Sequence, residues 1–217
     1  MKKIITLSVI VLLAFNASAQ FQKGNKVLGF GLNIGQISNN SISPVNTQSN
    51  SGLGITGALS LAKAKSETRL NGFVVNIGYG KVVSKNDNPV FTDGFSESYN
   101  AGLGYFMRKY KPLGKNFFVF GEAQAAVNYN RQIIRSIQQS DVDQYQASIG
   151  IYPGLAYKWN DRFLLELRFA DFANLSYSYT ERKSGNTNEY SRSLSFGTSL
   201  GLGYLNNIGI GARWIIK

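Results

Sequence analysis

Residues 147–169, A-S-I-G-I-Y-P-G-L-A-Y-K-W-N-D-R-F-L-L-E-L-R-F, constrain this chain more than any other stretch. Ala147, Ile149, Ile151, Pro153, Leu155 and Tyr157 alternate with Ser148, Gly150, Tyr152, Gly154, Ala156 and Lys158. After the polar turn Asn160, Asp161 and Arg162, Phe163, Leu165, Leu167 and Phe169 alternate with Leu164, Glu166, Arg168 and Ala170. An apolar period of two marks a strand with one buried face, and two such runs around a tight turn make a hairpin. The second face is Gly, Ala, Ser and one Glu/Arg pair, not the Lys and Glu of a water-facing sheet. Tyr157, Trp159 and Phe163 gather at the turn. Such a hairpin suits a barrel wall with lipid outside and a narrow lumen of small and polar residues inside.

The same alternation recurs along the chain. It covers 27–35 (Leu28, Phe30, Leu32, Ile34), 53–62 (Leu53, Ile55, Leu59, Leu61), 73–81 and 99–108. A fifth run, 117–129, sends Phe117, Val119 and Val127 outward and Phe118, Phe120, Glu122 and Gln124 inward. Each is near the ten or so residues that a tilted strand needs to cross a bilayer. Strand seven continues through 173–179. Polar stretches 36–51, 85–94, 131–143 and 181–189 read as long loops, and 63–69, 111–116 and 160–162 as short turns. Long and short links in alternation are the rhythm of an up-and-down barrel whose long loops face the cell exterior. From Leu194 to Ile216 the even positions stay largely apolar. We read one long final strand, bulged at Asn206 and Asn207, whose upper half pairs with strand seven. A turn there would make nine strands, against the even count of bacterial barrels.

With these runs in view, I-G-I-Y-P-G-L-A-Y followed by N-D-R-F-L-L-E resembles the penultimate hairpin of the small outer-membrane β-barrel domains of Gram-negative bacteria, OmpA-like or OmpW-like. The resemblance is residue by residue over about 150–179 and in pattern over the rest. It implies an all-β, eight-stranded antiparallel up-and-down transmembrane β-barrel with periplasmic termini. It also implies insertion by the barrel-assembly machinery. Barrels of this family usually end on an aromatic residue; here Arg213-Trp214-Ile215-Ile216-Lys217 closes the chain, and Trp214 stands in for it. The fold does not fix one function.

Residues 1–19 read as a secretory signal peptide: Lys2 and Lys3, an apolar stretch 4–15, and the small-residue cleavage site Ala17-Ser18-Ala19. Residues 20–217 form the barrel domain. Loss of the leader takes two Lys from the net charge of +11 and leaves +9. After it no apolar run is long enough for a membrane helix.

The chain has no His and no Cys. Barrel hydrolases and proteases that use a His base are therefore excluded, as are imidazole or thiolate metal sites and disulfides. We expect no catalytic residues, no cofactor and no metal. Secretion and the barrel pattern argue against nucleic acid as the partner of the basic charge. Lys81, Lys85, Arg131, Arg135, Arg182, Lys183 and Arg192 fall at the long-loop end, where they meet lipopolysaccharide phosphates; outer-membrane lipids and lipopolysaccharide are the expected surroundings. No extracellular partner is legible.

Two residue sets stand out. Aromatic girdles are expected from Tyr105, Tyr157, Trp159, Phe163 and Trp214 at the short-turn end, and from Tyr79, Tyr99, Tyr129, Tyr177 and Tyr179 at the long-loop end. Glu122, Glu166 and Arg168 fall on lumen faces, with Arg108 and Arg213 nearer the periplasmic end. In an eight-stranded barrel the lumen holds side chains, so these charges must pair. We expect Glu122 to meet Arg168, with Glu166 competing for the same guanidinium and Arg108 or Arg213 as alternative partners. The functional reading is a structural or surface-interacting, non-enzymatic barrel. A narrow pore, or an OmpW-like path for small apolar molecules, is one alternative; a secreted, soluble, ligand-binding β-barrel is another. Protease added to intact cells should nick within 38–50 or 131–141. Cleavage confined to 63–69 or 111–115 would invert the topology.

Overall fold

The computed structural model describes residues 21–43, 46–86, 93–136, 139–198 and 208–216, all in strands, turns and short links. The expected signal peptide and the Asn206–Asn207 bulge lie outside the described residues. The strands are β1 (Lys26–Ser43), β2 (Asn46–Ser66), β3 (Arg69–Asn86), β4 (Gly94–Pro112), β5 (Phe117–Arg135), β6 (Ser140–Asn160), β7 (Phe163–Arg168), β8 (Ala173–Ser184), β9 (Thr187–Thr198) and β10 (Gly209–Ile216). Every pairing is antiparallel. Neighbours follow chain order from β1 to β7, β7 pairs with β10, and β10 returns to β1. Eight strands thus close a ring, which leaves that part of the sheet without an edge. The all-β, eight-stranded up-and-down fold expected from the alternation is the fold observed.

The seventh crossing is divided into β7 and β8. β6 holds β7 up to Gly154 opposite Arg168, then holds β8 from Ile151 opposite Ala173. The partner therefore advances two residues more than β6 does, a wide bulge over 169–172. Pro153 sits in that gap and has no N–H to give, so the ladder cannot run through it unbroken. Its carbonyl still accepts the Phe169 N–H at 3.0 Å, and that of Ile151 accepts the Phe172 N–H at 2.7 Å. β8 then pairs with β9, the pairing expected of the upper half of the final strand; the link from β9 to β10 lies outside the described residues. Among the described residues β9 has no other strand partner, and all of it is exposed.

The polar stretches correct the sequence reading. Residues 36–51, 131–143 and 181–189 are mostly not loops. β1 and β2 stay paired to Ser43 and Asn46, β5 and β6 to Ile134 and Ser140, and β8 and β9 to Ser184 and Thr187. Residues 63–69 likewise form a turn only at 67–68. Polar side chains stabilise these ribbons by pairing across them, as where Ser84 Oγ donates to Asn50 Oδ1 at 2.6 Å. Gly185 adopts φ +55°, which lets the β8–β9 ribbon reverse in two residues.

The exterior inverts the usual distribution of polarity. Ile77 is 66% exposed, Ile149 61%, Val127 58%, and Phe30, Leu59, Phe73, Leu103 and Leu175 are exposed with them on the same outer surface. A continuous belt of this kind is intolerable in water and is what hydrocarbon requires. No described helix is long and apolar enough to cross a membrane, so the crossing is made by strands.

Above the belt the ribbons carry ion pairs. Arg135 Nη1 donates to Asp141 Oδ1 at 2.9 Å, and Arg131 Nη2 lies 3.4 Å from Oδ2. The hydrogen bond from Arg135 holds the Asp141 carboxyl below its ordinary value of 3.8. A depressed carboxyl stabilises the ribbon above its unfolded pKa and loses that contribution as pH falls through the folded value. The Asp141 side-chain carbon should accordingly titrate by NMR with a midpoint below 3.8, and Arg135→Gln should move the midpoint upward. A midpoint unmoved by that substitution would show that the pair does not form.

Candidate functional site

The lumen is built in layers, starting from the short-turn end. Phe21, Val27, Leu70, Tyr110, Phe118, Leu164 and Ile215 are buried there with Ala62, Ala64 and Ala156, and they close that mouth. The segment before β1 lies across it: the Phe21 N–H donates to the Glu67 carbonyl at 3.2 Å, and the Phe21 ring packs 5.4 Å from that of Tyr110. Gly154 has a steric reason on this level, because a Cβ there would strike the Phe120 ring.

Above this seal is a layer of charge. Register sets Arg108 of β4 directly opposite Glu122 of β5. Arg108 Nε and Nη2 donate to Glu122 Oε2 at 2.8 and 2.5 Å, and Nη1 donates to Glu166 Oε2 at 2.5 Å. Arg213 Nε donates to both oxygens of Glu166 at 2.9 Å, and its Nη1 reaches Ser60 Oγ at 3.4 Å. The Tyr110 hydroxyl donates to Glu166 Oε1 at 2.6 Å. Rings cover the guanidiniums: Arg108 Cζ is 4.0 Å from the Phe120 centroid, and Arg213 Cζ 5.2 Å from that of Phe106. Arg108, Glu122, Glu166 and Arg213 are all buried. Charges so far from water persist because each is paired and hydrogen-bonded.

All five expected lumen charges therefore meet, the expected Glu122–Arg168 pair among them, and only the expected competition of Glu166 for Arg168 is absent. Glu122 is 3.3 Å from Arg168 and is bound more closely by Arg108. Glu166 does not compete for Arg168; Arg108 and Arg213 hold it. Arg168 stands at the edge of the layer, with Nη2 donating to Gln124 Oε1 at 2.7 Å and Cζ 3.8 Å from the Tyr152 ring centroid. Gln124 was read as inward but not as a partner of Arg168, and Tyr110 and Ser60 were missed as members. Parity with Arg108 and Phe106 would have found Tyr110.

The aromatic sets form contact ladders on the outer wall. Tyr79–Tyr99, Tyr129–Tyr145, Tyr145–Tyr179 and Tyr179–Tyr190 ring pairs mark the long-ribbon level. Phe73–Tyr105, Phe117–Tyr157, Tyr157–Trp159 and Phe163–Trp214 mark the other. Tyr177 is exposed between its neighbours on β8. Tyr145, Tyr190, Phe73 and Phe117 join sets from which the sequence reading left them out.

A closed ring with an apolar outer belt, aromatic rims and a polar, side-chain-filled interior defines an integral outer-membrane β-barrel protein. No protein-family model matches the chain, and no curated protein matches it in sequence. Among solved structures it is similar to Neisserial surface protein A, with 16% identity over 89% of this chain and 98% of that one at a TM-score of 0.39. It is similar also to the translocator domain of the autotransporter NalP from Neisseria meningitidis, with 11% identity, 98% and 94% coverage and a TM-score of 0.37. A major outer membrane protein from Thermus thermophilus aligns with 12% identity over 87% of this chain and 99% of that one, at a TM-score of 0.42.

The charge layer should show in a double-mutant cycle. Arg108→Met leaves Glu122 and part of Glu166 without a buried partner, and should cost about 3–5 kcal/mol in urea unfolding of the detergent-solubilised barrel. Adding Glu122→Gln should recover part of that loss. Strictly additive losses would mean that the two side chains do not interact.

Proposed function

We infer that this protein is a non-enzymatic integral barrel with a structural or surface-interacting role, and that its lumen does not conduct steadily. The observation that carries this reading is the double closure at the short-turn end, an apolar seal beneath a buried ion-pair layer. A narrow pore would need those side chains to leave one another, and each separation strands a buried charge. Absence of His removes the base on which barrel hydrolases depend.

The chain is made with a signal peptide over residues 1–19, in keeping with its charged start, short apolar stretch and small-residue cleavage site. The barrel-assembly machinery of a Gram-negative cell then inserts the mature domain, by analogy with the OmpA-like and OmpW-like barrels that its penultimate hairpin resembles. Cations above the upper girdle, such as Lys183 and Arg192, face the zone of lipopolysaccharide phosphates. They add electrostatic attachment to the surface rather than a specific recognition site.

Purified protein reconstituted in planar bilayers should give no steady conductance of porin size. Membrane fractionation should recover it with the outer membrane, with heat-modifiable migration on gels. Reproducible large conductance would overturn the non-conducting reading in favour of the pore.

A further inference from the structure

Six exposed cations gather on the outer wall at the short-turn end: Lys26 of β1, Lys63 and Lys65 of β2, Arg69 of β3, and Lys109 and Lys111 of β4. Register sets like charges side by side. Lys26 is directly opposite Lys63, and Arg69 directly opposite Lys109. Like charges so placed weaken a sheet until an anion comes between them. None of the six forms an ion pair among the described residues. On the outer wall and turns of this end the described residues hold only two carboxylates. Asp161 is bound by Lys158 at 2.8 Å, and Glu67, exposed in the β2–β3 turn, sets a single negative charge against the six. The ribbon end is different, for there Lys81 holds Glu97, and Arg131 and Arg135 hold Asp141.

The face that carries these cations is the face that carries the apolar belt. Lys63 follows Leu61 by two residues and Lys109 follows Met107 by two, and those belt residues are 57% and 52% exposed. Two residues of strand span about 7 Å. The charges therefore stand just beyond the hydrocarbon edge, at headgroup depth, with their stems along the apolar wall. The Phe73–Tyr105 ring pair marks that edge, and below it the Asn71 amide donates to the Tyr105 hydroxyl at 3.0 Å. A patch on the side of the barrel at this depth meets lipid, not a soluble protein.

We propose that this collar binds the phosphates of anionic phospholipids in the leaflet at the short-turn end, in preference to zwitterionic ones. Both classes carry a phosphate, but a zwitterionic headgroup also carries an ammonium, which the cluster repels. Arg69 presents a phosphate with two parallel donors, and the lysines beside it add charge. The inference rests on the barrel lying in a membrane and not on a closed lumen, because the collar is on the outer wall.

With Trp159→Phe the mature protein keeps one tryptophan, Trp214, opposite Leu28 and close to Lys26. The test reconstitutes this parent into phosphatidylcholine vesicles in which about one lipid in five is acyl-brominated phosphatidylglycerol or, in a matched set, acyl-brominated phosphatidylcholine. Both leaflets share one composition, so orientation in the vesicle does not matter. Phosphatidylglycerol should quench Trp214 about twofold or more strongly than phosphatidylcholine at low salt, and the excess should shrink as salt rises. Lys26→Gln, Lys63→Gln, Arg69→Gln and Lys109→Gln combined should bring the two lipids to parity, with heat-modifiable migration as the check on folding. Should that variant not fold, Arg69→Glu alone gives Lys109 an internal partner and should cut the preference. Equal quenching in the parent would overturn the proposal while leaving the barrel in its membrane. A preference undiminished in the variants would overturn it as well. Absence of quenching by either lipid would overturn the barrel reading and the proposal with it. If unbrominated lipid A relieved the quenching at lower amounts than unbrominated phosphatidylglycerol, the collar would belong to lipopolysaccharide and the proposal would fall.

Discussion

The carboxylate of Glu166 holds the interior together. It comes from β7 and is bound by Arg108 and Tyr110 of β4 and by Arg213 of β10. Arg108 carries the connection on to Glu122 of β5. Neighbouring staves are already joined by backbone ladders, but β4 and β7 are not neighbours in the ring, so this contact spans the lumen. Each carboxylate keeps its charge because cations replace the water it lost, and each guanidinium is in turn covered by Phe106 or Phe120. Removal of any one member would leave another charge desolvated, which makes the layer cooperative.

Around that layer the usual polarity of a protein is turned inside out. Hydrocarbon outside cannot satisfy a backbone N–H or carbonyl, so the sheet must close on itself, and it does so through β10 and β1. Closure at eight strands leaves a lumen too narrow to stay empty. The short-turn end is filled with apolar rings, the middle with ion pairs, and the space above with amides and hydroxyls. The two ends of the lumen therefore differ, side chains packing the short-turn end while a recess lined in part by polar groups lies above the ion pairs.

Alternation announced the strands wherever apolar residues repeat every second position, because lipid and lumen demand opposite polarity from adjacent side chains. That signal ends at the membrane boundary. In the ribbons both faces meet water, so 36–51, 131–143 and 181–189 read as loops although their backbones stay paired. The bulge at 169–172 was hidden for a different reason: it arises from a missing donor at Pro153 and from how two staves are offset, neither of which alters the apolar period.

The amino-acid sequence by itself determined the fold class, the short turns near 111–116 and 160–162, and the inward placement of Glu122, Glu166, Arg168, Arg108 and Arg213, since parity along a strand is a local property. Even the opposition of Arg108 and Glu122 was within its reach, for a hairpin folded about the turn at 113–116 sets those two residues across from each other. Only the tertiary structure decided that Glu166 belongs to Arg108 and Arg213, and that Arg168 stands at the edge of the layer between Glu122, Gln124 and Tyr152. Those pairings depend on the register at which β10 closes against β1 and β7, and on the depth at which each stave crosses the lumen. Both are set by the whole ring at once, and no window of the sequence contains them.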